Sequence, residues 1–142
     1  MSNKSISFHI AEINFTLKDK NKIRLWIEEL ITKEKKEVGE IGYILCSDEY
    51  LLQMNKEHLD HDYYTDIITF DYCENKTISG DLFISIDRTK ENAKEFGTSH
   101  KNELHRVMAH GVLHLLGYKD KSAKDAKKMR EMEDYSLNLR SF

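Results

Sequence analysis

The run Val107-Met-Ala-His-Gly-Val-Leu-His-Leu-Leu116 is the most informative stretch of the sequence, because all its residues except His110 and His114 are apolar or glycine. A helix that is apolar on all sides is buried. We therefore expect this segment to form the central helix of the molecule. Its two imidazoles must find partners inside the protein, since an unpaired buried polar group is costly.

The same segment contains the spacing of a metal site. His110 and His114 are four residues apart and lie on one helix face, although core histidines bonded to backbone carbonyls would give the same pair. Gly117 can end the helix in the left-handed conformation, and Asp120 can then return to the metal. The order H-G-V-L-H-L-L-G-Y-K-D is the layout of extended zincin motifs. Three protein ligands and an open position are typical of catalytic zinc, so His110, His114 and Asp120 are the predicted ligands.

Gly111 occupies the position at which zinc proteases of the H-E-x-x-H type carry their general base. Glycine has no side chain that accepts a proton, so a peptidase is the less favoured interpretation. A glycine inside a helix also costs about 1 kcal/mol relative to alanine. Its presence in the central helix indicates that another element packs closely against it.

Hydrophobic patterns along the rest of the chain predict a single α+β domain over residues 1–142. We expect a mixed four-stranded sheet packed with about five helices around the buried histidine helix. The first helix is expected to stop near Gly39. The predicted strands are 5–11, 40–47, 65–72 and 81–86, and the predicted helices are 19–37, 48–56, 87–97, 99–116 and 122–139.

Composition excludes several classes of protein. The chain has 142 residues, of which 33% are charged and 39% hydrophobic, as in a globular domain. We find no apolar run near the roughly 18 residues that span a bilayer, and no signal-peptide pattern at the start. Cys46 and Cys73 do not form a CxxC pair. We therefore expect a cytoplasmic protein with reduced thiols, rather than a disulfide scaffold, a membrane protein or a cysteine-based zinc ribbon.

The net charge of −3 is unevenly distributed along the chain. Residues 37–87 hold 12 acidic and 2 basic side chains, whereas residues 119–130 hold 6 basic and 2 acidic ones. The basic stretch is either an ordinary solvated helix face or a contact surface for a polyanion. Its charge alone does not decide between these two roles.

The histidine motif, taken with segments on both sides of it, resembles the YbeY family of bacterial metallo-endoribonucleases, which are rRNA maturation factors. The most specific match is the core H-G-x-L-H-L-x-G-Y at residues 110–118. The family's G-D-I-x-I-S strand is similar to residues 80–85, and its M-x-x-x-E matches Met129 and Glu133. Its N-x-x-Y-R-x-x-D-x-P-T-D-V-L-S-F is similar to residues 55–70, with Asn55, Asp62, Thr65, Asp66 and Phe70 retained.

Three residues depart from the family pattern. Asp120 stands where the family has its third histidine, Lys119 replaces the preceding aspartate, and Leu59 replaces the arginine of the Y-R pair. A carboxylate is a competent zinc ligand, but its charge makes the metal a weaker Lewis acid and harder ions such as Mn²⁺ more compatible. The change at position 59 removes a side chain that could contact phosphate.

The resemblance implies a single-strand-specific endoribonuclease that acts in 3′-end maturation of small-subunit (16S) rRNA and in ribosome quality control. It implies one Zn²⁺, or another divalent ion, bound by His110, His114 and Asp120, and it makes His114 essential for catalysis. Single-stranded RNA and the small ribosomal subunit are the expected partners, rather than DNA or a membrane. The motif contains no base, so Asp66 and Asp81 are candidate proton carriers, with a strand-end hydrogen bond or a solvated turn as their alternative roles.

Basic residues near the third ligand are the candidate RNA contacts, and they are Arg106, Lys119, Lys121 and Lys124. For Arg106 the alternative is a surface ion pair. Tyr118 either stacks on a base or packs against the helix end. Two other functions stay open at this point, an RNA-binding module on the ribosome whose metal is structural, and a metallopeptidase.

Overall fold

A computed structural model describes residues 5–60 and 64–142, so Asp62 of the matched segment lies outside the described residues. None of the helices in these ranges has the length and apolar character needed to cross a membrane. The strands are β1 (Ser5–Ala11), β2 (Glu37–Cys46), β3 (Ile67–Asp71) and β4 (Thr77–Ser85). The helices are α1 (Lys20–Lys33), α2 (Asp48–Leu59), α3 (Ile86–Glu95), α4 (His100–Leu115) and α5 (Ala123–Asn138).

The sheet is mixed and has the strand order β1-β2-β4-β3. Strands β1, β2 and β4 are parallel, whereas β3 runs antiparallel to β4. Parallel neighbours need a crossover connection, which α1 provides between β1 and β2. Strands β3 and β4 are consecutive and form a hairpin. The α+β class, the four strands and the five helices predicted from the sequence are confirmed.

Helix α4 packs on one face of the sheet, and its central position confirms the prediction from its apolar sequence. The hydroxyl of Tyr43, on β2, donates to the carbonyl of Met108, on α4, at 3.0 Å. A Cβ at Gly111 would lie 2.8 Å from Ile67 Cδ1 and 3.0 Å from Leu82 Cδ2. Glycine thus allows the helix to approach β3 and β4 closely, which is the packing reason expected for it.

The opposite face of the sheet is only partly covered. Helix α2 packs there on a small apolar cluster that contains Cys46, Leu51 and Ile68. The rest of this face is a polar groove whose lining includes Ser7 and His9. The two faces therefore differ, since one carries the main core and α4 whereas the other is open and polar.

The end of α1 differs from the prediction. The helix ends at Lys33, the chain turns at Lys35 with a φ of 61°, and Gly39 lies inside β2. A Cβ at Gly39 would collide with the side chain of Ser79 on the neighbouring strand. This glycine therefore permits a close strand contact and does not stop the helix.

Candidate metal centre

The turn after α4 brings Asp120 back to the two histidines. Gly117 adopts a φ of 104°, in the left-handed region that glycine tolerates. Hydrogen bonds from the amide of Gly117 to the carbonyl of His114, and from the amide of Tyr118 to that of Leu113, are both 3.0 Å long and close the turn. The chain reversal predicted from the glycine is confirmed.

Three potential ligand atoms converge beside this turn. His114 Nε2 lies 3.0 Å from His110 Nε2 and 3.2 Å from Asp120 Oδ2, and His110 Nε2 lies 3.3 Å from the same oxygen. Ligands about 2.0 Å from a tetrahedral zinc ion are separated by about 3.3 Å, so the three positions fit such an ion. Within the described ranges, these three residues are the group of His, Cys, Asp or Glu side chains whose ligand atoms lie close enough together to hold one metal ion.

The outer hydrogen bonds of the two rings determine what faces the centre of this group. His114 Nδ1 lies 3.0 Å from the carbonyl oxygen of Tyr118, which can only accept, so Nδ1 carries the proton. His110 Nδ1 lies 2.7 Å from Glu133 Oε2 and donates to that carboxylate. In the neutral rings, both Nε2 atoms therefore present lone pairs to each other and to Asp120. Such a set of acceptors requires a cation, or an added proton, between its members.

Glu133 is the buried partner of His110 and is only 7% exposed. Its Oε1 accepts hydrogen bonds from Arg106 at 2.9 Å and from Arg130 at 3.3 Å. Burial opposes charge on His110, but Glu133 and the other nearby carboxylates outweigh it and raise the pKa of His110. Burial likewise opposes charge on Glu133, but His110 and Arg106 outweigh it and hold the pKa of Glu133 below its usual value. The carboxylate of Glu133 is therefore kept ionised.

The candidate metal centre is open on one side. The side chains of His110, His114 and Asp120 are 22%, 29% and 38% exposed, so exposure increases towards the carboxylate. A fourth position beside these ligands can thus be reached by water or by a substrate, as in catalytic zinc sites.

Asp66 directly precedes β3, and its charge interacts with those of His110 and Glu133. Burial raises the pKa of Asp66, and the charge of His110 partly offsets this effect. The amide nitrogen of the Asn92 side chain lies 3.5 Å from Asp66 Oδ2. A partly buried carboxyl with a raised pKa, whose charge interacts with that of His110, has the properties of a proton carrier.

Asp81 lies on the other face of the sheet. A Cβ at Gly80 would contact Leu115 of α4, and the Leu82 side chain contacts Gly111, so both neighbours of Asp81 face α4. Successive side chains of a strand point to opposite faces. Asp81 therefore lines the polar groove, and the prediction that it carries protons at the metal is wrong.

Arg106 points inward and not to the open surface. Its guanidinium pairs with Glu133 at 2.9 Å and with Asp134 at 2.8 Å, and its side chain is only 17% exposed. The predicted RNA contact by Arg106 is not supported, and the ion-pair alternative describes its contacts. Three other predicted contacts, Lys119, Lys121 and Lys124, are exposed beside the third ligand.

Two further side chains complete the surroundings. Tyr118 packs on the core and its hydroxyl donates to Glu34, which is the packing role rather than base stacking. The sequence predicts no role for Glu133 apart from its match to the family pattern. A signal was present, because an acid four residues after Met129 lies on the same helix face as that core methionine, where a charged group needs a partner.

Comparisons with known proteins agree with this architecture. The chain matches the family model described as "Endoribonuclease YbeY" over residues 6–140. It is 54% identical to the Endoribonuclease YbeY of Cytophaga hutchinsonii over 100% of both chains. It is 50% identical to that of Flavobacterium johnsoniae, over 90% of this chain and 92% of the relative. The solution structure of TM1509 from Thermotoga maritima is similar at a TM-score of 0.66 and 27% identity, over 93% of this chain and 87% of that chain.

Proposed function

Because this chain belongs to the YbeY endoribonuclease family and is an RNA hydrolase, we propose that it cleaves RNA with one divalent metal ion, in the first place Zn²⁺. The ligands in this proposal are His110, His114 and Asp120. The substrate is single-stranded RNA at the 3′ end of 16S rRNA, on the small ribosomal subunit. Membership of the family favours an enzyme over the RNA-binding module and over the metallopeptidase.

The facing lone pairs at the candidate metal centre support the metal most strongly. Two imidazole nitrogens and a carboxylate oxygen lie 3.0–3.3 Å apart, and neither neutral ring has a proton to offer there. Two nitrogens and one oxygen suit zinc, and the carboxylate also makes the set compatible with Mn²⁺. A single divalent ion would satisfy all three groups at once.

The residues around this centre have distinct roles in the proposed reaction. A bound ion supplies a Lewis acid for a phosphoryl oxygen and lowers the pKa of water. His110 and His114 hold the ion through Nε2, because their Nδ1 protons are committed to Glu133 and to the backbone. Asp66 accepts or returns the proton, since burial raises its pKa above that of an exposed carboxyl.

The exposed lysines beside Asp120 would bind the RNA backbone. Lys119 and Lys121 flank Asp120 in the chain, Lys124 follows it by four residues, and all three are exposed, so they can neutralise phosphates of a bound RNA. The proposal places the enzyme in the cytoplasm with the ribosome. The free thiols of Cys46 and Cys73 suit that reducing compartment.

Metal content and RNA cleavage, measured on the same purified protein, test the proposal. We expect about one ion per chain, cleavage of single-stranded RNA but not of duplex RNA or DNA, and loss of cleavage on chelation. His114→Ala should lose the ion and about 100-fold or more of the cleavage rate. His9→Ala is the matched control, because His9 is exposed on the opposite face of the sheet. Cleavage by metal-free protein, or by His114→Ala at the wild-type rate, would contradict the proposal.

The rRNA substrate is tested in cells. Cells that lack the gene should accumulate 16S rRNA with an extended 3′ end, and wild-type protein but not His114→Ala should restore the mature end. Normal 16S ends in the deleted strain would exclude this substrate and leave the RNA hydrolase with another one.

A further inference from the structure

We propose that Glu133 is a positioning residue that holds His110 with Nε2 directed at the metal, and that Arg106 in turn holds Glu133. This inference rests on the metal centre proposed above. It assigns to the ion pair between Arg106 on α4 and Glu133 on α5 a role in metal binding, rather than in packing alone.

The two histidines of the centre are held by different partners. His114 donates through Nδ1 to the backbone carbonyl of Tyr118, in the turn that directly follows α4. His110 donates to a charged side chain on α5, 23 positions away along the chain. The orientation of His114 is therefore built into the local turn, whereas that of His110 depends on the docking of α5.

The contact between His110 and Glu133 is a charge-assisted hydrogen bond, which is stronger than a bond between neutral groups. The Nδ1–Oε2 distance of 2.7 Å is at the short end for an N–H to oxygen bond, as found for ionised acceptors. It places the ring proton on Nδ1 and leaves the Nε2 lone pair for the metal. A carboxylate in this position fixes both the tautomer and the ring orientation of a ligating histidine, and strengthens it as a ligand.

Both oxygens of Glu133 are engaged, so the carboxylate cannot turn away from His110. Oε2 accepts from His110, while Oε1 accepts from Arg106 at 2.9 Å and from Arg130 at 3.3 Å. Arg106 lies one turn before His110 on α4, so the same helix carries the ligand and the group that fixes its partner. The other end of the Arg106 guanidinium pairs with Asp134, whose side chain is 58% exposed.

The experiment measures Zn²⁺ dissociation constants by competition with a chelator for the wild type, Glu133→Gln and Asp134→Asn. Glutamine keeps the size of Glu133 but removes its charge, and we expect metal affinity to fall about 10–100-fold. Asp134→Asn removes the same charge from the adjacent residue and from the same arginine, but it has no contact with His110. We expect that control to change affinity less than about threefold.

A second measurement separates positioning from folding. Long-range ¹⁵N spectra of the metal-free proteins, recorded at a pH at which the His110 ring is neutral, report which ring nitrogen of His110 carries the proton. We expect Nδ1–H in the wild type and in Asp134→Asn, and a mixture of tautomers in Glu133→Gln. A merely structural role would lower the stability of Glu133→Gln but leave the tautomer and the metal affinity unchanged.

The outcomes distinguish this inference from the proposed function. A wild-type protein that binds no divalent metal removes the metal centre itself. Wild-type affinity and an Nδ1–H tautomer in Glu133→Gln overturn the positioning role, while the metal centre stands if His114→Ala still loses the ion. If Glu133→Gln does not fold, Arg106→Gln takes its place, with an expected loss of about 3–10-fold, and wild-type affinity there overturns the inference.

Discussion

His105 and His110 lie five residues apart on α4, yet their surroundings shift their pKa values in opposite directions. His105 is 3% exposed, and its Nδ1 accepts a hydrogen bond at 2.8 Å from Arg140, which can only donate. Burial, together with nearby positive charges, lowers the pKa of His105 to about 4. His110 instead donates to Glu133, and its pKa is raised.

The partner of each histidine thus determines its role. Burial, together with the Arg140 guanidinium, keeps His105 neutral between the rings of Trp26 and Phe142, each with its centroid 5.4 Å away, so His105 acts as a core side chain. A carboxylate orients His110 and leaves its second nitrogen free for a cation. Residue type and helix are the same in both cases.

The loss of His110 should affect metal binding and RNA cleavage far more than the loss of His105. His110→Ala should reduce bound metal from about one ion per chain to almost none, and RNA cleavage by about 100-fold or more, because a ligand is lost. His105→Ala should keep both at a temperature where it is folded. Elemental analysis and cleavage rates measure these two effects, and equal loss of metal in both variants would contradict the different roles of the two histidines.

The second prediction concerns the contribution of His105 to the stability of the protein. His105→Ala should lower the free energy of unfolding of the metal-free protein by about 3 kcal/mol, since it leaves a cavity beside Trp26 and removes the acceptor of Arg140. Urea denaturation measures this value. His9→Ala, on the exposed part of β1, is the control and should stay within about 0.5 kcal/mol of the wild type.

The stability of the protein should depend on pH through His105. The unfolded pKa of His105 is about 6.5 and the folded one about 4, so the unfolded chain binds more protons between these values. Its contribution to stability is therefore complete above about pH 6.5 and is lost as the pH falls towards 4. We expect a loss of about 2 kcal/mol between about pH 7 and pH 4.5 that His105→Phe does not show. If the free energy of unfolding changed with pH in the same way in the metal-free wild type and in metal-free His105→Phe, the pH dependence would not come from His105.

The smallest effect concerns the surface near each histidine. The double variant with alanine at Lys121 and Lys124 should bind single-stranded RNA about 3–10-fold more weakly. The slope of log K against log salt concentration should become shallower by about 0.7 per lost phosphate contact. Lys101→Ala, at the end of α4 that carries His105, is the matched control and should leave both unchanged. Fluorescence anisotropy in the His114→Ala background measures binding without cleavage. An equal effect of Lys101→Ala would mean that the basic charge acts non-specifically.

Most of the fold, and the convergence of His110, His114 and Asp120, could be predicted because their signals are local. Hydrophobic periodicity identified four strands and five helices, and the buried run identified α4. The proposed ligands His110, His114 and Asp120 lie on one helix and the turn that follows it, so spacing and one glycine suffice to bring them together. Gly39 was misassigned because a glycine that ends a helix and one that permits a strand contact look alike in sequence.

Local signals in the sequence thus identify the central helix, the turn at Gly117 and the three candidate ligand residues, because helical spacing and glycine geometry act over a few residues. The tertiary structure alone decided that Asp81 faces away from α4, because this depends on strand order and on which face the helix covers. It also decided that Glu133 and Arg140 are the partners of His110 and His105, from 23 and 35 positions away. Contacts over such separations come from the packing of whole elements, which no local pattern encodes.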